Sequence, residues 1–240
     1  MTAFKIERLI VSSEKLVDIP VRDAATIVLI RKQDSQFTVL MGQRGKDAVF
    51  MPSKFVFPGG AYEENDSKVP FYSILSPHDK ALLNLETEKN ISLGLAATVI
   101  RELWEETGLK LVKPLKWNVK AVEGWEFFHK WGLCPNASEL TFFFRAITPV
   151  GRPRRFDARF FLCDAKAIAD DLDDFSGASS ELSHLQWISI EESKRFDLPI
   201  ITRIVLQEVS RFLKEGANIN GVPFYNEGSS TSNFSNLIID

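Results

Sequence analysis

A chain of 240 residues, 45% hydrophobic and 25% charged, has ordinary globular composition and room for one large domain or two small ones. Its formal net charge of −3 and three histidines argue against a dedicated nucleic-acid binder, which carries a basic stripe. Cys134 and Cys163 lie outside any metal-like spacing, which argues against a disulfide framework or structural zinc.

In chain order, the amino terminus MTAFKIERLIVSSEKL interrupts its apolar residues with charges and lacks the continuous apolar core of a secretory leader. No apolar run approaches the length of a membrane span. A soluble, cytoplasmic protein is expected, and the glycosylation-type triplets at Asn90, Asn136 and Asn233 are read as chance. Residues 23–30 (DAATIVLI) read as a buried strand, and residues 37–41 (FTVLM) as its neighbour across a polar turn at 32–35. A short aromatic strand, residues 55–57, runs into Pro58-Gly59-Gly60, where proline stops a ladder and paired glycines allow a sharp turn or close approach to a ligand. Residues 67–93 show no strong period and suggest an excursion with one short helix over 79–88.

Residues 96–109, AATVIRELWEETGL, predict a helix. Ala96, Ala97, Ile100, Leu103 and Trp104 form the stripe it would bury, and Gly108 can end it in the left-handed conformation. Glu102, Glu105 and Glu106, at i, i+3 and i+4, fall within roughly 100° of one another. Their mutual repulsion calls for a cation, and a hard divalent ion suits oxygen ligands on one rigid face. A solvated acidic face with Arg101 paired to Glu105 is the alternative.

Beyond that helix, residues 117–133 are crowded with Trp117, Trp125, Phe127, Phe128 and Trp131, a set more often core, or a flap over it, than a cofactor box. Residues 139–148 and 156–163 read as strands joined by a basic turn, and residues 182–190 as a last strand. Residues 199–214 have helical periodicity. From Gly216 onward Gly, Asn and Ser dominate, and a poorly ordered tail is expected.

The Gly-Gly piece and the acidic helix together resemble the Nudix box, G-x5-E-x7-R-E-U-x-E-E-x-G-U, with U aliphatic. Arg101, Glu102, Leu103, Glu105, Glu106, Gly108 and Leu109 match its second half, and Gly60 matches its opening glycine. Asp66 stands where the family has Glu, and residues 67–100 separate it from Arg101 in place of seven residues. An interrupted box is similar to that of a subgroup including the peroxisomal coenzyme A diphosphatases of animals. Ile147-Thr148-Pro149, Arg155-Phe156-Asp157 and Phe160-Phe161 resemble that subgroup's I-T-P…R-F-D-T-x-F-F signature, with Ala158 in place of Thr.

The resemblance implies an α/β/α sandwich with a mixed sheet and the acidic helix packed on it. It covers roughly residues 23–206 and implies an insertion at about 67–93, while the interleaved strands and helices suggest one domain over residues 1–225 and the composition a flexible tail at 226–240. The implied reaction is metal-dependent hydrolysis of a nucleoside diphosphate linked to another moiety, with coenzyme A or acyl-coenzyme A leading over ADP-ribose, NADH or oxidised nucleotides. Mg²⁺ or Mn²⁺ would bind Glu102, Glu105, Glu106 and the Gly60 carbonyl, and Arg101 would orient a carboxylate. A catalytically silent nucleotide-binding domain is the competing reading, favoured only by Asp66.

The box does not fix the base. Glu181, before the Trp187 strand, is the candidate, with His184 and Glu139 behind it, while a plain surface role for Glu181 stays open. Arg44 resembles an arginine placed near phosphates. Arg152, Arg154 and Arg155 either hold a phosphate or form a solvated turn, with Arg155 pairing Asp157. The expected partner is a small nucleotide-type molecule, not nucleic acid or membrane, and a homodimer is compatible with the sequence. The C-terminal Leu-Ile-Ile-Asp carries no Ser-Lys-Leu type address.

Overall fold

The computed structural model describes residues 19–33, 35–87, 89–216, 221–226 and 234–239, so the amino-terminal stretch read for a leader lies outside the described residues. The elements are β1 (Val21–Gln33), β2 (Gln36–Arg44), β3 (Phe55–Val56), β4 (Gly59–Ala61), α1 (Pro77–Leu83), α2 (Ser92–Thr107), β5 (Val112–Pro114), α3 (Glu126–Trp131) and β6 (Leu133–Pro135). They continue with β7 (Thr141–Ile147), β8 (Arg155–Asp164), β9 (Leu182–Ser189), α4 (Ile200–Glu215), β10 (Val222–Asn226) and β11 (Phe234–Leu237).

Nine strands form one mixed sheet, ordered β11-β10-β7-β8-β1-β2-β3, with β4 also pairing β1 and β9 pairing β2. β1 runs parallel to β8 from Val21 to Ile30, and β10 parallel to β7. β1 explains its own dense apolar run. Ala25, Ile27 and Leu29 face one core with α2, and Val28 and Ile30 face the other with Val205, Leu206 and Val209 of α4. Helices thus cover both faces of a mixed sheet, the α/β/α arrangement expected. Among the described residues, no helix is long and apolar enough to cross a membrane.

Four local expectations need correction. First, Gly59-Gly60 does not turn: it continues as β4, antiparallel to β1, with Thr26 opposite Gly59 and Ala25 opposite Gly60. β1 is long enough to pair β2 at its far end, from Ile30 to Gln33, and β4 earlier along the same edge. Second, the helix expected over 79–88 is Pro77–Leu83, capped by the Ser76 hydroxyl accepting from the Asp79 N–H. Just beyond it Glu86 takes φ 54°, and Arg145 holds that turn by donating to Leu85 O at 2.9 Å and Glu86 O at 3.1 Å. Third, the strand expected over 55–57 is only Phe55–Val56. Fourth, the described residues beyond Gly216 contribute strands, while 217–220, 227–233 and 240 lie outside the described residues. Val222 and Phe224 are buried, Phe224 lies under the Arg145 guanidinium at 4.6 Å, and Phe234–Leu237 pairs antiparallel with β10. The apolar residues of these strands come as the short run 222–225 and the isolated Phe234 and Leu237, too few to stand out from the polar composition around them.

The residues between the two halves of the box are tied to the sheet. The Asp79 carboxylate accepts from the Phe142 N–H at 3.0 Å, and Lys89 pairs with Asp23 at 2.6 Å. The five-residue 3-10 turn Glu64–Lys68 packs directly on α2, so Asp66 returns to the helix despite the intervening chain.

Candidate functional site

Helix α2 positions the acidic face. Its apolar stripe (Ala96, Ala97, Ile100, Leu103) is fully buried against β1 and β4, and Gly108 ends it with φ 81°. With that stripe held down, Arg101, Glu102 and Glu106 are also buried, while Glu105 stays partly open.

The glycines of β4 are required by what lies above them. A Cβ on Gly60 would stand 2.3–2.6 Å from the Glu102 carboxylate, and one on Gly59 would stand 2.5 Å from the Ala25 carbonyl. The Gly59 N–H instead donates to Glu106 Oε2 at 2.8 Å. Close approach, rather than a turn, is what this pair provides.

Arg101 sits at the centre of the carboxylates. Its Nε and Nη2 hold Asp66 at 3.0 and 3.1 Å, and Nη2 also reaches the Ala61 carbonyl at 3.3 Å. Its Nη1 holds Glu102 at 2.9 Å and Glu105 at 3.1 Å. A guanidinium has five N–H donors, and all five have a partner here. Asp66 is 1% exposed, so the shorter side chain in the family's Glu position is an orienting group for Arg101.

The electrostatics follow from burial and crowding. Burial first, then the neighbouring Glu105 and Glu181 charges, push the Glu102 carboxyl up to about 7 against the pull of Arg101. Burial and the Glu102 and Glu181 charges push Glu106 up to about 8, opposed by the Gly59 N–H and Arg44. Burial also raises Glu105. Arg101 is held above its ordinary value: burial alone would lower it, but Asp66, Glu102 and Glu105 overcome that.

These shifts carry a stability consequence. Glu102 and Glu106 bind protons more tightly folded than at their ordinary value of 4.5. The folded chain therefore holds more protons between pH 4.5 and about 8, and stability falls as pH rises through that window. The metal-free protein should melt at a higher temperature at pH 5 than at pH 8.5. Added Mg²⁺ should narrow the gap, and a thermal melt with and without chelator measures both.

The structure places the other sequence candidates unevenly. Glu181 is exposed just before β9, within electrostatic reach of Glu102, Glu105 and Glu106. Arg44 ends β2 facing Glu106, and its buried Nε has no hydrogen-bond partner. His184 is exposed with Nδ1 against the Ser183 hydroxyl, and Glu139 sits by Cys163 in another part of the fold.

Arg152 and Arg154 are exposed between β7 and β8, and Arg155 gives Nε to Thr148 O and Nη1 to Ile19 O. Asp157 is held by Arg145 and Arg159. Arg154 and Arg155, with Arg22, Ile19, Pro20 and Phe156, line a cavity of about 230 Å³. Arg155 aligns with Val21, four residues along β1 from the Ala25 opposite Gly60, or about 13 Å. The basic cluster therefore stands apart from the carboxylates.

Two partners of Asp66 had no sequence signal. The Trp125 indole N–H donates to Asp66 Oδ1 at 2.9 Å, and the Thr98 hydroxyl lies 2.7 Å from Oδ2. Trp117, Trp125 and Phe128 are buried, as expected for a core role of the aromatic segment, while Trp131 is exposed.

Whether a cation fits is decided by the donors. Glu102, Glu105, Glu106 and Glu181 act on one another, with Arg101 beside Glu102 and Glu105 and Arg44 beside Glu106, and the carboxylates offer oxygen donors throughout. Among the described residues no three such groups already close around one point. The fit is one of charge and donor type, completed by the freedom of Glu105.

No protein-family model matches the chain. Nudix hydrolase 7 of Caenorhabditis elegans is 31% identical over 182 residues, covering 71% of this chain and 52% of that protein. The acyl-coenzyme A diphosphatase NUDT19 of Xenopus laevis is 27% identical over 207 residues, covering 64% of this chain and 53% of that protein. The chain thus spans about half the length of the curated relatives it matches. Among solved structures, a NUDIX hydrolase from Alicyclobacillus acidocaldarius matches with TM-score 0.59 and 25% identity, over 78% of this chain and 90% of that one.

Proposed function

The chain belongs to the Nudix hydrolase family, and on that premise we propose that it hydrolyses the diphosphate bond of a nucleoside diphosphate linked to another moiety. Coenzyme A or an acyl-coenzyme A is the leading substrate class. The observation that carries the reaction is that one acidic helix face lies over the Gly59-Gly60 strand: the Gly59 N–H holds Glu106, Gly60 lies under Glu102, and one fully engaged guanidinium holds Glu102 and Glu105. The substrate class is supported by the likeness to an acyl-coenzyme A diphosphatase and by the I-T-P…R-F-D residues, which place Arg155 and Phe156 in the wall of the basic cavity.

Glu102, Glu105 and Glu106 would hold Mg²⁺ or Mn²⁺, with the Gly60 backbone beside Glu102. Such an ion neutralises diphosphate charge and acidifies the attacking water. Arg101 keeps Glu102 and Glu105 in place, and the unpartnered Arg44 Nε offers a donor to a phosphoryl oxygen. Glu181, exposed beside the cluster, accepts the proton of the water that attacks phosphorus as the bond to the bridging oxygen breaks. Asp66 does not favour a silent domain, because it occupies the orienting position with its carboxylate engaged.

The test is product analysis with Mg²⁺ or Mn²⁺ on coenzyme A, acyl-coenzyme A, NADH, ADP-ribose and nucleoside triphosphates. Cleavage of coenzyme A or its thioester into two phosphomonoesters is expected, and no cleavage at micromolar enzyme would return the silent-domain reading. Glu181→Gln should lower kcat by about 10² or more and remove the acid limb of the pH–rate profile. Equal rates and profiles would eliminate Glu181 as the base.

A further inference from the structure

We propose that Trp125 is a positioning residue of this site: its indole N–H fixes Asp66, and through Arg101 it sets where Glu102 and Glu105 stand. The inference rests on the hydrolase reading above and adds to it a residue outside the box, from the aromatic segment.

The chain of contacts is short and buried. Asp66 Oδ1 accepts from Arg101 Nε at 3.0 Å and Trp125 Nε1 at 2.9 Å. Oδ2 accepts from Arg101 Nη2 at 3.1 Å, with the Thr98 hydroxyl at 2.7 Å and the Glu63 N–H at 3.2 Å. The Thr98 hydroxyl also lies 2.9 Å from the Gly94 carbonyl, and its single proton serves one acceptor at a time. The indole has one N–H and one acceptor here, so with Arg101 Nε it is one of two undivided donors on Oδ1, and the one that does not move with the guanidinium. Without it, that oxygen keeps Arg101 alone, and the carboxylate can rotate about its last bond and take the guanidinium plane with it. The other edge of that plane holds Glu102 at 2.9 Å and Glu105 at 3.1 Å.

Trp125 is itself rigid. It is fully buried, packs on Phe128 with ring centroids 4.9 Å apart, and Phe128 meets Trp104 of α2 at 5.0 Å. The aromatic segment therefore grips α2 and aims one polar atom at the orienting carboxylate. An Asp in place of the family's Glu has less reach, and a donor from outside the box holds it in register. The indole stands three hydrogen bonds away from Glu102 and Glu105 and touches no reacting atom, which is why its effect is on placement.

Trp117 supplies an internal control. It is buried in the same segment and its N–H also serves one carbonyl, Leu133 O at 2.7 Å, away from Asp66. Trp125→Phe and Trp117→Phe each remove one buried indole N–H, and Mn²⁺ binding is followed by electron paramagnetic resonance beside steady-state kinetics. For Trp125→Phe, kcat should fall about tenfold with KM little changed, and Mn²⁺ should bind about tenfold more weakly, as for loss of an outer hydrogen bond to metal ligands. Trp117→Phe should keep wild-type kcat and Mn²⁺ affinity whatever its melting temperature. Should Trp125→Phe not fold, benzothienylalanine at position 125 keeps the ring and removes only the N–H. Wild-type kcat and Mn²⁺ binding in the position-125 variant, or equal losses in the Trp117 control, would overturn the inference. A wild-type protein that neither binds Mn²⁺ nor cleaves a diphosphate would instead overturn the hydrolase reading, and this inference with it.

Discussion

Glu106→Gln is expected to lower metal-dependent turnover on the order of 10³-fold while making the metal-free protein more stable at pH 8.5. The two effects have one cause. Glu106 is 2% exposed and its carboxyl is pushed up to about 8, so ionising it in place opposes folding. Bringing its pKa back from about 8 to 4.5 is a difference on the order of a few kcal/mol at alkaline pH. Glutamine has the same shape, and its carbonyl oxygen can still accept the Gly59 N–H now 2.8 Å from Glu106 Oε2. It cannot bring the negative charge that a divalent ion requires. Stability gained where activity is lost marks a group kept for chemistry rather than packing. Melts at pH 5 and 8.5 with kcat for the same preparation decide it: an unchanged rate sinks Glu106 as a metal ligand, and an unchanged alkaline melting temperature sinks the electrostatic account.

How far the site was readable depends on the sequence distance over which each contact acts. Arg101 through Leu109 lie within one helix, so spacing alone placed Glu102, Glu105 and Glu106 on a common side and the apolar stripe on the other. The alternative reading of Arg101, a pair with Glu105, is compatible with holding Glu102, because Nη1 has two protons and reaches both. Gly59 and Gly60 were legible as a backbone requirement but not as a strand, since β4 exists only through its pairing with β1. Trp125 is 59 positions from Asp66, and one tryptophan among the chain's five carries no mark of the partner it will meet. The edge strands were missed for the opposite reason. Polar composition outweighed a short apolar run, residues 222–225, whose place in the sheet depends on β7 being there already. The interruption of the box reads differently in three dimensions: Asp79, Arg145 and Lys89 secure it to the sheet, so the two halves meet as if it were absent.

The largest loss of stability should come from Arg101→Ala, about 3–5 kcal/mol in urea unfolding of the metal-free chain. The reason is what stays behind. Asp66 and Glu102 are buried on either side of Arg101, with Glu105 at its edge, and the guanidinium is the cation they share. Removing it leaves buried carboxylates with neither water nor counter-charge, and protonation then becomes their cheapest escape. The destabilisation should therefore shrink as pH falls towards 5, where Glu102 is already neutral in the folded state. Adding Asp66→Asn to Arg101→Ala should recover part of the loss, because the amide can still accept from Trp125 Nε1 without carrying charge. Arg101→Lys should fall between, since three donors on one ammonium cannot serve Asp66, the Ala61 carbonyl, Glu102 and Glu105 together. A loss below about 1 kcal/mol for Arg101→Ala, the range of an exposed ion pair, would mean that solvent already screens these charges. In that case Arg101 would matter for where Glu102 and Glu105 stand and not for whether the chain folds, and kcat in Arg101→Lys would separate the two.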